Sequence, residues 1–232
     1  MLHIWGRISS INVRKVVWTV QHLNLTHQRT DAGGQFGIVK TPDYLANNPN
    51  ALVPLLEDGD FRLWESNVIV RYLSAKYADG ALYPSGLQAR FDAERWMDWQ
   101  QTTLNRAGGP AFIQWIRTPA EQRQLAVIAQ SVAATEPLLQ MLDAHLAKRP
   151  WMAGEHFTMA DIPIGCEIHR WWGLPQPRPT LPRLARWYAA VQARPATRGA
   201  ALFPEHGAHG RLPQGQHGVL ADATHPLGQA DG

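Results

Sequence analysis

The stretch Asn50–Leu73 constrains this chain most, because it sets a proline inside a strand-like run and ends in a helix. Leu52 to Leu56 is a short apolar run. Glu57-Asp58-Gly59-Asp60 is a polar hairpin signal containing Asp-Gly, and Phe61 to Trp64 reads as the returning strand. Ser66 falls where a helix N-cap belongs, ahead of Val68, Ile69, Tyr72 and Leu73 at helical spacing. Pro54 has no N–H to give to a ladder and a fixed φ, so it demands an edge or a special bend. Glu65-Ser66 lies at a strand-to-helix junction, where free N–H groups and the helix dipole favour a negative group.

The residues before this stretch read as alternating short strands and helices. His3-Ile4-Trp5 is a strand candidate ending at Gly6. Ser10 or Asn12 caps a helix whose Val13, Val16, Val17, Val20 and Leu23 share a face. Thr26 to Thr30 is a second strand, and Asp31 to Lys40 a glycine-rich loop without a phosphate-binding motif. Thr41-Pro42-Asp43 opens a short helix that Asn47-Asn48-Pro49-Asn50 ends. The order β-α-β-α-β-β-α is the one a thioredoxin-like domain requires, and it occupies residues 1–80.

Ala78 to Gly86 reads as a linker, and strand signals nearly vanish beyond it. Residues 87–200 are expected to form an all-helical domain. Its first helix runs from Leu87 to Arg106 and is expected to break or kink at Gly108-Gly109-Pro110. Ala120 to Lys148 is a second helix, bent at Pro137. Phe157-Thr158-Met159-Ala160-Asp161-Ile162 approximates a capping box with a hydrophobic staple. Leu181 to Arg194 is a last helix. From Phe203 the chain is rich in Gly, Pro and His, so 203–232 is expected to be a disordered tail.

With 22 Lys and Arg against 19 Asp and Glu, the net charge is only +3, and no basic run has the density of a nucleic-acid patch. No apolar run is expected to span a membrane, and no signal-peptide core opens the chain, so a cytoplasmic protein is expected. Cys166 is the single cysteine, which excludes an intrachain disulfide and a CxxC pair. It lies on an apolar stretch and reads as packing. No metal is expected. His206-x-x-His209 fits one helical turn, but it sits with His217 and His225 in the glycine-rich tail, and a metal there is disfavoured.

The pair Val53-Pro54 followed by Glu65-Ser66 resembles the signature of cytosolic glutathione transferases, over residues 1 to about 200. The opening Trp5–Val16 is similar to bacterial theta-like and nu-like members. The resemblance implies a thioredoxin-like N-terminal domain and an all-helical C-terminal domain. It implies a cis bond before Pro54, with the backbone of Val53 pairing the cysteinyl part of glutathione as an added strand. It implies that Glu65 and Ser66 hold the γ-glutamyl end, which carries both an ammonium and a carboxylate. Glutathione is then the co-substrate, a small electrophile the second substrate, and a homodimer the assembly.

Family members stabilise the glutathione thiolate with a hydroxyl at the start of the first helix. Here the candidates are Ser9, Ser10 and Asn12; Ser10 precedes Asn12 by two residues, as in the Ser/Thr-x-Asn spacing of the nu-like pattern. Ser10 is taken as catalytic, with Asn12 as a second donor. A free thiol has a pKa near ~8.5 and only the thiolate attacks, so one donor at a positive helix end need supply about 2–3 kcal/mol. No Tyr or Cys stands near that position, which disfavours the tyrosine-dependent and disulfide-exchanging classes. Lys40 is a candidate for the glycine carboxylate, with a solvated loop lysine as the alternative. Arg7 and Arg117 are candidates for an anionic co-substrate, with surface ion pairs as the alternative. Trp115 and the other aromatics of the helical half are candidates for an apolar wall. Three activities are therefore open: a transferase, a glutathione-dependent dehalogenase or peroxidase on the same site, and an interaction protein that keeps the fold without catalysis.

Overall fold

In the computed structural model, which describes residues 1–197, the N-terminal half forms β1 (Leu2–Trp5), α1 (Ile11–His22), β2 (His27–Thr30), α2 (Pro42–Asn47), β3 (Leu55–Asp58), β4 (Phe61–Trp64) and α3 (Ser66–Tyr77). The four strands make one sheet in the order β2-β1-β3-β4. β1 runs parallel to β2, and β3 is antiparallel to both β1 and β4. Side chains alternate across β1. Leu2 and Ile4 enter the core, where α1 contributes Val13, Val16, Val17 and Val20 and α3 contributes Ile69, Val70 and Leu73. Trp5, on the other parity, meets Tyr44 of α2 edge-on at 6.4 Å.

The backbone refines two local readings and corrects a third, the N-cap at Ser66. Pro54 lies just ahead of β3, not inside it, because the Val53-Pro54 bond is cis and the chain bends there before pairing begins at Leu55. The hairpin turns on Gly59-Asp60, since Asp58 still pairs with Phe61 and Gly59 takes φ +59°. Ser66 is the first residue of α3, and Glu65 holds the N-cap position with φ +72°.

The C-terminal half is helical: α4 (Leu87–Trp99), α5 (Asn105–Phe112), α6 (Leu125–His145), α7 (Asp161–Trp172) and α8 (Pro182–Gln192). Of the break or kink expected at Gly108-Gly109-Pro110, the break does not occur. α4 continues through a π-helical turn at Gln100–Leu104 into α5, and a second such turn, Ile113–Arg117, follows. Pro110 is accommodated by a neighbouring helix. The Ser131 hydroxyl of α6 accepts from the Ala111 N–H at 3.2 Å and donates to the Ala107 carbonyl at 2.5 Å. It thereby bridges the donor and acceptor of the i→i−4 pair next to the one that Pro110 cannot close.

α6 is 21 residues, long and apolar enough by length and composition to cross a membrane, which the sequence reading did not expect. In this fold it packs against α5 and α8, and its Asp143 carboxylate accepts from the Arg183 and Leu184 N–H groups at the N-terminus of α8, at 2.8 and 2.9 Å.

One core joins the two halves. Trp18 of α1 is fully buried, and a methyl group added at Gly165 of α7 would come within 2.9 Å of its ring. Asp161 anchors the start of α7. It accepts from the Thr158 N–H at 2.9 Å, the Met152 N–H at 2.9 Å and the Trp187 indole N–H at 2.8 Å. Only one arm of the expected box forms, because the Thr158 hydroxyl accepts from the Ala160 N–H and the helix starts at Asp161 itself. The expected tail, 203–232, and its histidines lie outside the described residues.

Candidate active site

The site is built where β1 ends and α1 begins. Gly6 takes φ +150° at the point where strand, helix and cis bend converge; a methyl group there would stand 2.4 Å from a Val13 methyl and 3.2 Å from the Val53 Cβ. The loop that follows is held from inside. The Arg14 guanidinium, itself buried, donates through Nε to the Ile8 carbonyl at 2.9 Å, and the Ser10 N–H donates to the Arg7 carbonyl at 3.0 Å. Burial pushes the Arg14 pKa down to about 10, so the guanidinium stays charged at neutral pH.

Ser10 occupies the N-cap of α1 with extended backbone, yet its hydroxyl makes no cap hydrogen bond. Asn12 Oδ1 is buried without a hydrogen-bond partner among the described residues. Both residues line a cleft of about 800 Å³, together with Arg7, Ser9 and Arg14 from the N-terminal half. The opposite wall comes from the long α4–α5 helix and its π-helical extension, with Arg106, Phe112, Ile116 and Arg117, and from Arg170 and Leu174 at the end of α7. Arg117 and Arg170 both stack on Phe112, with guanidinium carbons 5.1 and 4.9 Å from the ring centre. Partial burial, then the like charges of Arg7 and Arg170, lower the Arg117 pKa. Among the described residues, five arginines thus line one cleft, and no carboxylate lies on its wall. Arg170 is paired to Glu167 behind the wall.

The cleft brings together Arg7, Ser10, Asn12 and Arg117 of the residues singled out from sequence. Val53, Pro54, Glu65 and Ser66 do not line it; Val53 meets the turn before α1, and Ser66 meets α1 itself. Val53 packs on Gly6 and Gly33, and its backbone N–H and C=O have no partner among the described residues. Leu52, just before it, is fixed by Tyr44 Oη and Asn48 Nδ2, which donate to its carbonyl at 2.6 and 2.8 Å. Ser66 is reached from α1 by Lys15, whose Nζ donates to its Oγ at 3.5 Å. Glu65 is exposed beside it.

Lys40 is exposed at the end of the glycine loop and is not part of the cleft. Trp115 is not part of the cleft either; its indole N–H donates to Gln176 Oε1 at 3.0 Å and its ring carries Arg123. Cys166 is buried, and burial pushes its thiol up to about 12, as suits packing. The sequence reading missed Arg14, Lys15, Arg106 and Arg170. Arg14 and Lys15 sit mid-helix among apolar residues, and that interruption was a signal available in the sequence; Arg106 and Arg170 carry none.

The glutathione S-transferase N-terminal domain model matches residues 1–75, and the C-terminal domain model matches residues 126–190. Glutathione S-transferase GstB of Escherichia coli is 41% identical over 206 residues, covering 88% of this chain and 99% of that protein. Glutathione S-transferase 3 of Zea mays is 30% identical over 84% of this chain and 90% of its own length. Among solved structures, the theta class glutathione S-transferase of Xanthomonas axonopodis pv. citri with glutathione bound superposes with a TM-score of 0.82 at 44% identity, covering 85% of this chain and 95% of that one. The chain belongs to the glutathione S-transferase family.

Proposed function

We propose that this protein transfers glutathione to a small electrophile, with the thiolate stabilised by the Ser10 hydroxyl. The observation that carries the reading is Ser10 itself, a helix N-cap whose hydroxyl is left free by the helix and turned over to a cleft. Val53 offers an unpaired backbone edge for the cysteinyl residue, and the mouth of α3 at Glu65-Ser66 suits the γ-glutamyl group. Glu65 keeps a left-handed backbone that costs a non-glycine residue free energy, a feature that concentrates at ligand sites. The bound tripeptide would then direct its sulfur to the start of α1, where one neutral donor favours the anion and no general base is needed. Lys40 is proposed for the glycine carboxylate and Asn12 for a second contact near the sulfur. A column of immobilised glutathione tests the reading: retention and elution by free glutathione are expected, and passage unbound overturns it.

A second reading, dehalogenation of small haloacids on the same site, is favoured by Arg7, Arg106 and Arg117 among the five arginines that line the cleft. Displacement of halide by the thiolate needs an anionic carboxylate held still while the sulfur attacks the adjacent carbon. Comparing haloacetate, chlorodinitrobenzene and hydroperoxide turnover separates this chemistry from conjugation and from peroxide reduction.

The assembly proposed is a homodimer. Leu52, Phe61, Trp64 and Val68, on β4, α3 and the loop before β3, are exposed apolar residues, as are Leu87 and Phe91 of α4. Sedimentation should give twice the chain mass.

A further inference from the structure

Lys15 is a fully buried lysine, and its place between the two halves is not explained by packing. Its Nζ donates to Gln101 Oε1 at 3.0 Å and to Ser66 Oγ at 3.5 Å. No carboxylate pairs with it among the described residues. Glu167 is near enough to raise its pKa, but the two Glu167 oxygens accept from Gln100 Nε2, at 2.9 Å, and from Arg170. Burial pushes the ammonium down to about 8, against the pull of Glu167 and, more weakly, Glu65. A buried charge held by neutral acceptors alone is costly and calls for a counter-ion.

The geometry points to Lys15 as the positioning residue and buried counter-charge for the α-carboxylate of the γ-glutamyl group. This inference rests on the reading that Ser66 and the mouth of α3 receive that group. An ammonium has donors only, so its bond to Ser66 fills an acceptor site on the hydroxyl oxygen. The Ser66 proton is then left to point away from Lys15, toward whatever docks at the helix mouth. A carboxylate there accepts from a hydroxyl already polarised by a cation, and its charge offsets the one buried behind it. Glu65, exposed on the same junction, meets the neighbouring ammonium of the same group. The γ-glutamyl end is thus read as a zwitterion by residues of opposite sign.

The test is a double-difference measurement of binding. Glutathione is compared with γ-aminobutyryl-cysteinyl-glycine, which lacks only that carboxylate, on the full-length protein and on Lys15→Met, with tryptophan fluorescence as readout. In the unaltered protein, loss of the carboxylate should weaken binding about 100-fold; in Lys15→Met the same loss should cost about 5-fold or less. A purely structural role for Lys15 would weaken both ligands alike and leave the ratio unchanged, and that result overturns the inference. In turnover, the Lys15→Met loss should fall on KM for glutathione rather than on kcat. Should Lys15→Met not fold, Lys15→Gln, neutral and still a donor, must shrink the ratio in the same direction. If the unaltered protein binds both ligands equally, the reading of the cradle at Ser66 fails along with the inference. If it discriminates but the variants do so equally, only Lys15 loses its role.

Discussion

The Arg14 N–H reaches the Ser10 carbonyl at 3.0 Å, closing the first turn of α1, so Ser10 caps that helix with its main chain and not with its hydroxyl. This separates two roles that usually coincide at a helix start. Replacing a serine that caps by side chain costs about 1 kcal/mol of stability. Ser10→Ala should cost less than about 0.5 kcal/mol in urea unfolding, while kcat falls about 10- to 100-fold, the worth of one hydrogen bond to an anion. Retention on glutathione should persist. Unchanged turnover would remove Ser10 from the chemistry.

Charge selectivity is expected at the opposite wall. Arg117 stacks on Phe112 beside Arg170 and faces Arg7 across the cleft. Arg117→Met should raise KM for a haloacetate about 10-fold and change KM for neutral chlorodinitrobenzene by less than about 2-fold. Equal effects on both would mean that the arginine only packs.

The joint between the halves predicts a stability effect remote from the cleft. Asp161 accepts from three buried donors, at Met152, Thr158 and Trp187. Asp161→Ala leaves all three unpaired. At ~1–3 kcal/mol for each orphaned donor, partly relieved by water, the loss should be about 3–5 kcal/mol. Denaturant titration followed by tryptophan fluorescence measures it, and a loss below about 1 kcal/mol would contradict this account of the joint.

These residues also show what the sequence made legible. The N-terminal order could be read because each element has its own period and punctuation: valines at helical spacing in α1, Pro54 at the bend, Gly59 in the turn. The cleft was half legible. Ser10 and Asn12 could be placed because the start of a helix is a local event, and Arg7 because it is adjacent in sequence. Arg170 reaches the same cleft from the far end of α7, a meeting decided by how helices pack, which no local pattern carries. The break expected at Pro110 was misjudged for the same reason. A proline in a helix interior costs ~3 kcal/mol or more when nothing supports the turn around it, and the Ser131 hydroxyl that bonds the adjoining Ala107 and Ala111 backbone comes from α6.

An acid-sensitive element lies at the end of α1. His22 is half-buried against Phe157, with ring centres 5.1 Å apart, and burial, then Arg194, lower its pKa to about 4. Its unfolded value is ~6.5. Between these values the unfolded chain binds the proton and the folded chain does not. The His22 contribution to stability is therefore complete above about pH 6.5 and is lost as the pH falls toward 4. His22→Gln should flatten the fall in melting temperature over that window. An identical pH profile in the variant would assign acid sensitivity elsewhere.

The central claim is that glutathione bound beside Val53 and Ser66 presents its sulfur to Ser10 as a thiolate. The most direct measurement is the ultraviolet thiolate absorbance of bound glutathione as a function of pH, in the unaltered protein and in Ser10→Ala. The account predicts a bound thiol pKa near ~6.5, against ~8.5 for a free thiol, returning most of the way in the variant. A bound thiol that titrates like free glutathione in the unaltered protein, or equally low in Ser10→Ala, would contradict it.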